Sequence, residues 1–223
     1  MERFTFPGTY EDDRGIEALH WEVRASDRPG YRGRYEIHTT VRGVNIWGTD
    51  FDGLEPDEPG AADLHTLALS ATSGELIDCV LTGDLPCQIE VDGTRVTTPV
   101  HFEFDFRTGP DGQYREPKFL RLSIAYGGRS YEITDDWFED GTLRLNALLQ
   151  PAGLVCCVTC LYSDYSPGGH GLMGMSCHRD AKAQYLAVRS KADYWPVPVT
   201  EDVPETYICD QYEHRIPGTG YRG

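Results

Sequence analysis

The segment His101-Phe102-Glu103-Phe104-Asp105-Phe106-Arg107 alternates polar and apolar residues without a break, and this period of two constrains the chain more than any other feature. Successive side chains of an extended strand point to opposite faces, so three phenylalanines share one side and the charged residues share the other. A helix would scatter the same residues around its axis. Leu120, Leu122, Ile124 and Tyr126 repeat the pattern, as do Leu19, Trp21 and Val23, and Tyr35, Ile37, Thr39 and Val41. Each set reads as a strand with one face buried.

The turns between these strands set how they pair. Asp92-Gly93 sits between Ile89-Glu90-Val91 and Arg95-Val96, and Gly127-Gly128 sits between Ile124-Ala125-Tyr126 and Tyr131-Glu132-Ile133. Both are two-residue loops of the kind that reverse a strand onto itself. Gly109-Pro110-Asp111-Gly112 predicts a third reversal, because proline presets φ and glycine accepts positive φ. Antiparallel sheets must bury one face, so the expected fold is mainly β (α+β): an antiparallel β-sandwich over residues 1–150, with a partly closed barrel as the second choice. A helix is expected over 137–149, weakened by Gly141 and Thr142, and a second from Cys177 or His178 through Ala187.

Residues 151–223 differ in character. Four of the seven cysteines fall in Cys156-Cys157-Val158-Thr159-Cys160 and Cys177, and another is Cys209. A two-residue spacer lets one tight turn aim two thiolates at a tetrahedral ion, so Cys157, Cys160, Cys177 and Cys209 are the expected ligands of one structural zinc in a ribbon- or knuckle-like module with one or two helices. Four thiolates leave no open coordination position, so such an ion stiffens the chain and activates nothing. Iron in the same site is the other metal these ligands suit. Cys156, His170, His178 and His214 compete for the fourth position; Cys156 neighbours Cys157 on a strand, where adjacent side chains face apart, and is expected in the core. A redox dithiol would place the spacer at a helix start after a strand, whereas a loop follows here; a disulfide framework does not suit an odd number of cysteines. Buried, inert thiols are the remaining alternative, and Cys79 and Cys87 are read in that way.

Thirty-six acidic residues against 20 basic ones give a formal charge of −16, which repels phosphate backbones and argues against nucleic acid as a partner. Residues 1–150 carry 28 acids and 14 bases, so the acidity lies mostly outside the cysteine region. It serves solubility in the simplest reading and offers a face to a basic protein partner in the sharper one. No apolar run suits a signal peptide or a bilayer span, and a cytoplasmic location without membrane contact is expected. Composition says nothing about oligomeric state.

Two other groups carry residues suited to chemistry. Pro167-Gly168-Gly169-His170-Gly171 could cradle an anion but lacks the lysine of a phosphate loop. Asp135, Asp136, Glu139 and Asp140 could suit a hard cation, although an acidic helix start explains them as well.

Taken with Cys177-His178-Arg179, Glu205-Thr206-Tyr207-Ile208-Cys209 and the ending Gly218-Thr219-Gly220-Tyr221-Arg222-Gly223, the stretch Cys157-Val158-Thr159-Cys160-Leu161-Tyr162-Ser163-Asp164-Tyr165-Ser166-Pro167 resembles an uncharacterised bacterial family over residues 150–223. The resemblance implies a shared cysteine module at the four positions and brings no substrate, partner or reaction. Two functions follow from the sequence. One is a non-enzymatic binding or adaptor protein, of the inhibitor or immunity kind, stiffened by zinc. The alternative is an enzyme of specialised bacterial metabolism with a pocket between sandwich and cysteine module, drawing on Asp164, His170 or His178.

Overall fold

The computed structural model describes residues 3–28, 35–58, 60, 63–108, 119–165 and 174–221. Nine strands form one continuous antiparallel ladder: β1 (Arg3–Asp12), β2 (Gly15–Ala25), β3 (Tyr35–Val41), β4 (Val44–Gly48), β5 (Glu55–Pro56), β6 (Val80–Val91), β7 (Thr94–Asp105), β8 (Phe119–Tyr126) and β9 (Arg129–Asp135). Their spatial order is β5-β4-β3-β2-β1-β6-β7-β8-β9, and a tenth strand, β10 (Gly153–Val155), pairs with β6. The mainly β, antiparallel character expected from alternation is present, but the N-terminal strands do not divide into the two sheets of a sandwich. Alternation fixes which face of a strand is buried; it does not say which hairpins share an edge. Here the β1–β6 pairing, Gly8 opposite Gly83 through Glu11 opposite Val80, fuses the two halves.

The expected faces hold. Leu19, Trp21 and Val23 are buried, as are Phe102, Phe104 and Phe106, and Leu120, Leu122 and Ile124. Asp92 (φ 47°) and Gly93 (φ 73°) make the left-handed pair that a tight β6–β7 reversal needs, and Gly127 and Gly128 do the same for β8–β9. The proposed turn at 109–112 lies outside the described residues.

A short 3-10 turn at Phe51–Gly53 packs across one face of the ladder. Phe51 stands edge-on to Trp21 of β2 at 5.0 Å and meets Phe102 of β7 at 4.6 Å, although β1 and β6 lie between those strands. The Trp21 indole crosses Gly8 and donates to the Thr82 carbonyl at 2.7 Å, and the Phe102 ring covers Gly83.

Helix α1 (Phe138–Leu148) matches the expected helix within a residue at each end. Its Gly141 has a packing role: a Cβ there would stand 3.0 Å from Ile133 Cδ1 and 3.1 Å from Leu122 Cδ1, so glycine lets the helix lie close on β8 and β9. The second expected helix is corrected. Cys177 ends a strand, β12 (Met175–Cys177), which lies between β11 (Ser163–Tyr165) and β13 (Glu201–Val203) in a separate three-stranded sheet. Helix in this stretch is confined to α2 (Lys182–Leu186) and α3 (Lys191–Tyr194), because Cys177 is paired on both sides and its carbonyl accepts from the Thr200 N–H. A zinc-ribbon arrangement is not what these elements display. Tyr165, Met175, Cys177 and Val203 of the small sheet join the main core, while Val155, Cys160 and Tyr212 belong to a second cluster with Tyr185 and Tyr194. Strand β10 is the seam, with Leu154 facing one cluster and Val155 the other.

Candidate metal centre

The two-residue spacer folds as a 3-10 turn, Cys157–Thr159, closed by the Cys160 N–H on the Cys157 carbonyl at 3.1 Å. Thr159 locks its entry, its hydroxyl donating to the Leu154 carbonyl at 2.7 Å. Two further stretches are bonded to this turn. The Cys157 N–H donates to the Tyr207 carbonyl at 2.9 Å and the Val158 N–H to the Glu205 carbonyl at 3.1 Å, which brings the segment leading to Cys209 alongside. Ser163 donates its hydroxyl to the Cys157 carbonyl and lies opposite Cys177 in the β11–β12 register, which brings Cys177 to the same place.

Cys157, Cys160 and Cys177 are buried, and Cys209 is partly exposed. Burial pushes the Cys157 thiol well up, and Cys160, Cys156, Cys177 and Cys209 push it further. The Cys160 thiol is raised mainly by burial, with Cys177 and Cys209 adding to it. Thiols from three stretches of chain thus act together against ionisation of Cys157. Arg179 places a guanidinium nitrogen 3.5 Å from the Cys177 sulfur while it pairs with Glu201 at 2.7 Å. The donor chemistry suits a soft divalent ion. Among the described residues, however, no three His, Cys, Asp or Glu side chains are grouped closely enough to hold one.

Of the competing ligands, Cys156, His178 and His214 are otherwise engaged. Cys156 lies in the main core, against Cys87. Cys87 is pushed up by its hydrogen bond to Cys156 and by burial, whereas Cys156 is pulled down by the bond from Cys87 and by those from Thr159. His178 is fully buried, its Nδ1 2.9 Å from the Pro198 carbonyl and its Nε2 3.0 Å from the Tyr194 hydroxyl, with its ring stacked on Tyr185. Both ring nitrogens are used, so this is a core histidine. His214 pairs through its backbone with Cys160 but turns its ring toward Tyr212 and Glu90. Asp164 accepts from the Tyr185 hydroxyl at 2.8 Å. His170 and the whole glycine loop 167–171 lie outside the described residues. In the acidic group before α1, Asp135 pairs with Arg144 at 2.7 Å and accepts from the Asp136 N–H, which is a helix-start role.

Sequence reasoning missed a cleft of about 520 Å³ between the β6–β7 turn, α1 and the C-terminal segment, lined in part by Glu90, Asn146, Gln150, His214 and Arg215. His214 Nε2 stands 3.4 Å from Glu90, and Nδ1 2.9 Å from the Tyr212 hydroxyl, which is also 3.0 Å from Thr159 Oγ1. The spacing of Tyr212 and His214, two residues apart in an extended segment, was the available signal. Burial raises the Tyr212 phenol far above its usual value. Arg215 donates to the Cys160 and Ser163 carbonyls, while its Nε and Nη1 are buried without a partner.

Glu205 supplies a test of burial in this region. Its side chain is buried, Oε2 has no partner, and desolvation pushes its carboxyl well above the usual range despite bonds from Gly174 and Tyr165. The folded chain keeps this proton where the unfolded chain has lost it. Stability should therefore fall as pH rises above the ordinary glutamate value, by up to about 1.4 kcal/mol per unit until the raised folded value is passed. Glu205→Gln is expected to flatten that slope and to be more stable than the parent at neutral pH, measured by urea unfolding between about pH 5 and pH 8. A parallel pH profile for both proteins would contradict an un-ionised Glu205.

Fold and thiols together define a mainly β protein with a cysteine-lined C-terminal region. The chain belongs to a family of unknown function (DUF6304), whose model matches residues 4–163. That span includes Cys157 and Cys160 but neither Cys177, Cys209 nor the Gly-Thr-Gly-Tyr-Arg-Gly ending, and it overlaps the resemblance described above only over 150–163. No curated protein and no solved structure matches the chain. Among the described residues, no helix is long and apolar enough to cross a membrane.

Proposed function

We propose that this is a non-enzymatic binding protein whose C-terminal third is held by one structural zinc on Cys157, Cys160, Cys177 and Cys209, and whose acidic surface meets a basic protein in the cytoplasm. The zinc reading is supported by the backbone bonds that bring the segments carrying Cys177 and Cys209 up to the Cys157–Thr159 turn, and by the two-residue spacing of Cys157 and Cys160. Zinc–sulfur bonds of about 2.3 Å would require the four sulfurs to draw together around the ion. The binding reading is supported by the charge of −16 and by the engagement of Asp164 and His178 in packing contacts.

Metal analysis of freshly purified protein is expected to find one zinc per chain, and each Cys→Ser change at the four positions to weaken retention at least tenfold. Substoichiometric metal that is indifferent to all four changes would sink the reading. A basic partner captured by the chain should be released as salt rises from about 0.05 to 0.5 M, because exposed charge pairs are screened; salt-insensitive capture would argue against an acidic docking face. The cleft beside His214 favours a second reading, an enzyme whose pocket lies between sheet and cysteine region. A small molecule that raises the melting temperature of the parent but not of His214→Ala would support it.

A further inference from the structure

β10 pairs antiparallel with β6, with Gly153 opposite Glu90, Leu154 opposite Ile89 and Val155 opposite Gln88. Cys156 continues the extended backbone (φ −161°, ψ 171°), so the next step of this register sets it opposite Cys87. The two side chains are on one face of the ladder: Leu85, Cys87 and Ile89 alternate into the main core with Leu154 and Cys156. Directly opposed antiparallel residues have Cα atoms about 4.5–5.5 Å apart, inside the range of about 4.4–6.8 Å that a disulfide spans. Both thiols are buried, and neither is in a disulfide.

We propose that Cys87 and Cys156 form an oxidative modification site, a cross-strand disulfide made by hydrogen peroxide and separate from the four thiols assigned to zinc. The Cys156 sulfur attacks one peroxide oxygen, the O–O bond breaks, and the departing oxygen leaves as water on taking a proton, which gives a sulfenic acid on Cys156. The Cys87 sulfur then attacks the Cys156 sulfur; the S–S bond forms and the sulfenic hydroxyl departs as a second water with the remaining thiol proton. Two thiols lose two electrons and two protons, and one peroxide becomes two waters. β10 is only three residues long, and a local opening of such a short strand would admit a molecule as small as hydrogen peroxide. The link fastens β6 to the segment that carries Cys157, so oxidation would stiffen the seam between sheet and cysteine region.

The test treats the purified protein, metal retained, with hydrogen peroxide, then quenches, denatures, alkylates and maps peptides by mass. A Cys87–Cys156 peptide two hydrogens lighter than its parts, reversed by dithiothreitol and formed at least tenfold faster than any other pair, is the expected result. Cys87→Ala should stop the reaction at a trappable sulfenic acid on Cys156. Complete alkylation of both cysteines while other thiols oxidise, or a first disulfide joining Cys156 to Cys157, Cys160, Cys177 or Cys209, would overturn the proposal. The cross-link is read in the unmodified sequence, so the outcome does not depend on whether the variant folds.

Discussion

Stripping metal from the purified protein with a chelator is expected to abolish slow hydrogen exchange across residues 153–215 while the ladder from β1 to β9 stays protected. The expectation follows from element size. β10, β11, β12 and β13 are three residues each, α2 is five and α3 is four. Helices below about 12 residues and isolated strand pairs are marginal in water, so these pieces depend on whatever ties them together. Packing supplies part of the tie, through the Tyr185–His178–Tyr194 stack and the edge of the main core. A thiolate-bound zinc would supply the larger part; small zinc modules draw on the order of 10 kcal/mol from the metal. Protection should therefore fall by at least a hundredfold in this region and by little elsewhere. Chelation that leaves exchange at the Cys157–Thr159 turn unchanged, in protein shown to have carried zinc, would mean that packing alone holds the region.

Gly8→Ala is the second large effect, and it bears on the fold. A Cβ at Gly8 would stand 2.2 Å from the Thr82 carbonyl oxygen and 2.2 Å from Trp21 Nε1. The carbonyl belongs to the β6 ladder and already accepts from that indole, so neither atom can retreat without breaking a buried hydrogen bond. Overpacking of this kind, added to a lost bond, costs about 3 kcal/mol or more. Urea unfolding should show the midpoint falling with an unchanged slope. Gly83→Ala, where the obstacle is the Phe102 ring at 2.5 Å, should cost less, about 2 kcal/mol, because a ring can shift. Gly53→Ala, whose nearest neighbour is 3.9 Å away, should stay within about 0.5 kcal/mol and serves as the control. Equal stability of Gly8→Ala and Gly53→Ala would mean that the Trp21 packing is wrong.

The β strands were legible because alternation and turn chemistry are local. Phe102, Phe104 and Phe106 could be assigned to one buried face, and Asp92-Gly93 to a tight reversal, without knowing what either would meet. A similar reversal at Arg42 (φ 50°) and Gly43 (φ 82°) escaped notice, although Gly43 between Val41 and Val44 carried the signal. Propensity marks Gly141 as a weak point of the helix, whereas the reason for glycine there, the closeness of Ile133 and Leu122, comes from another element. The second helix was extended too far because helix propensity in Ala181–Ala187 was the only guide, and pairing of Cys177 with Ser163 lay 14 residues upstream.

At the thiols the division is sharper. Residue spacing was enough to separate Cys156 from Cys157, since neighbours on an extended chain face apart, but not to show that Cys156 would meet Cys87, nearly 70 residues earlier. The cleft at His214 was illegible for the same reason: Glu90 and His214 are distant in sequence.

What the amino-acid order determined by itself is the alternation, the reversals and the clustering of sulfur, because each depends on backbone sterics and solvent preference within a few residues. Which hairpins fused into one ladder, and which cysteines faced one another, was decided only in the folded molecule. Those choices rest on contacts such as Trp21 across Gly8 and Phe51 against Phe102, whose energy exists only once remote strands are packed.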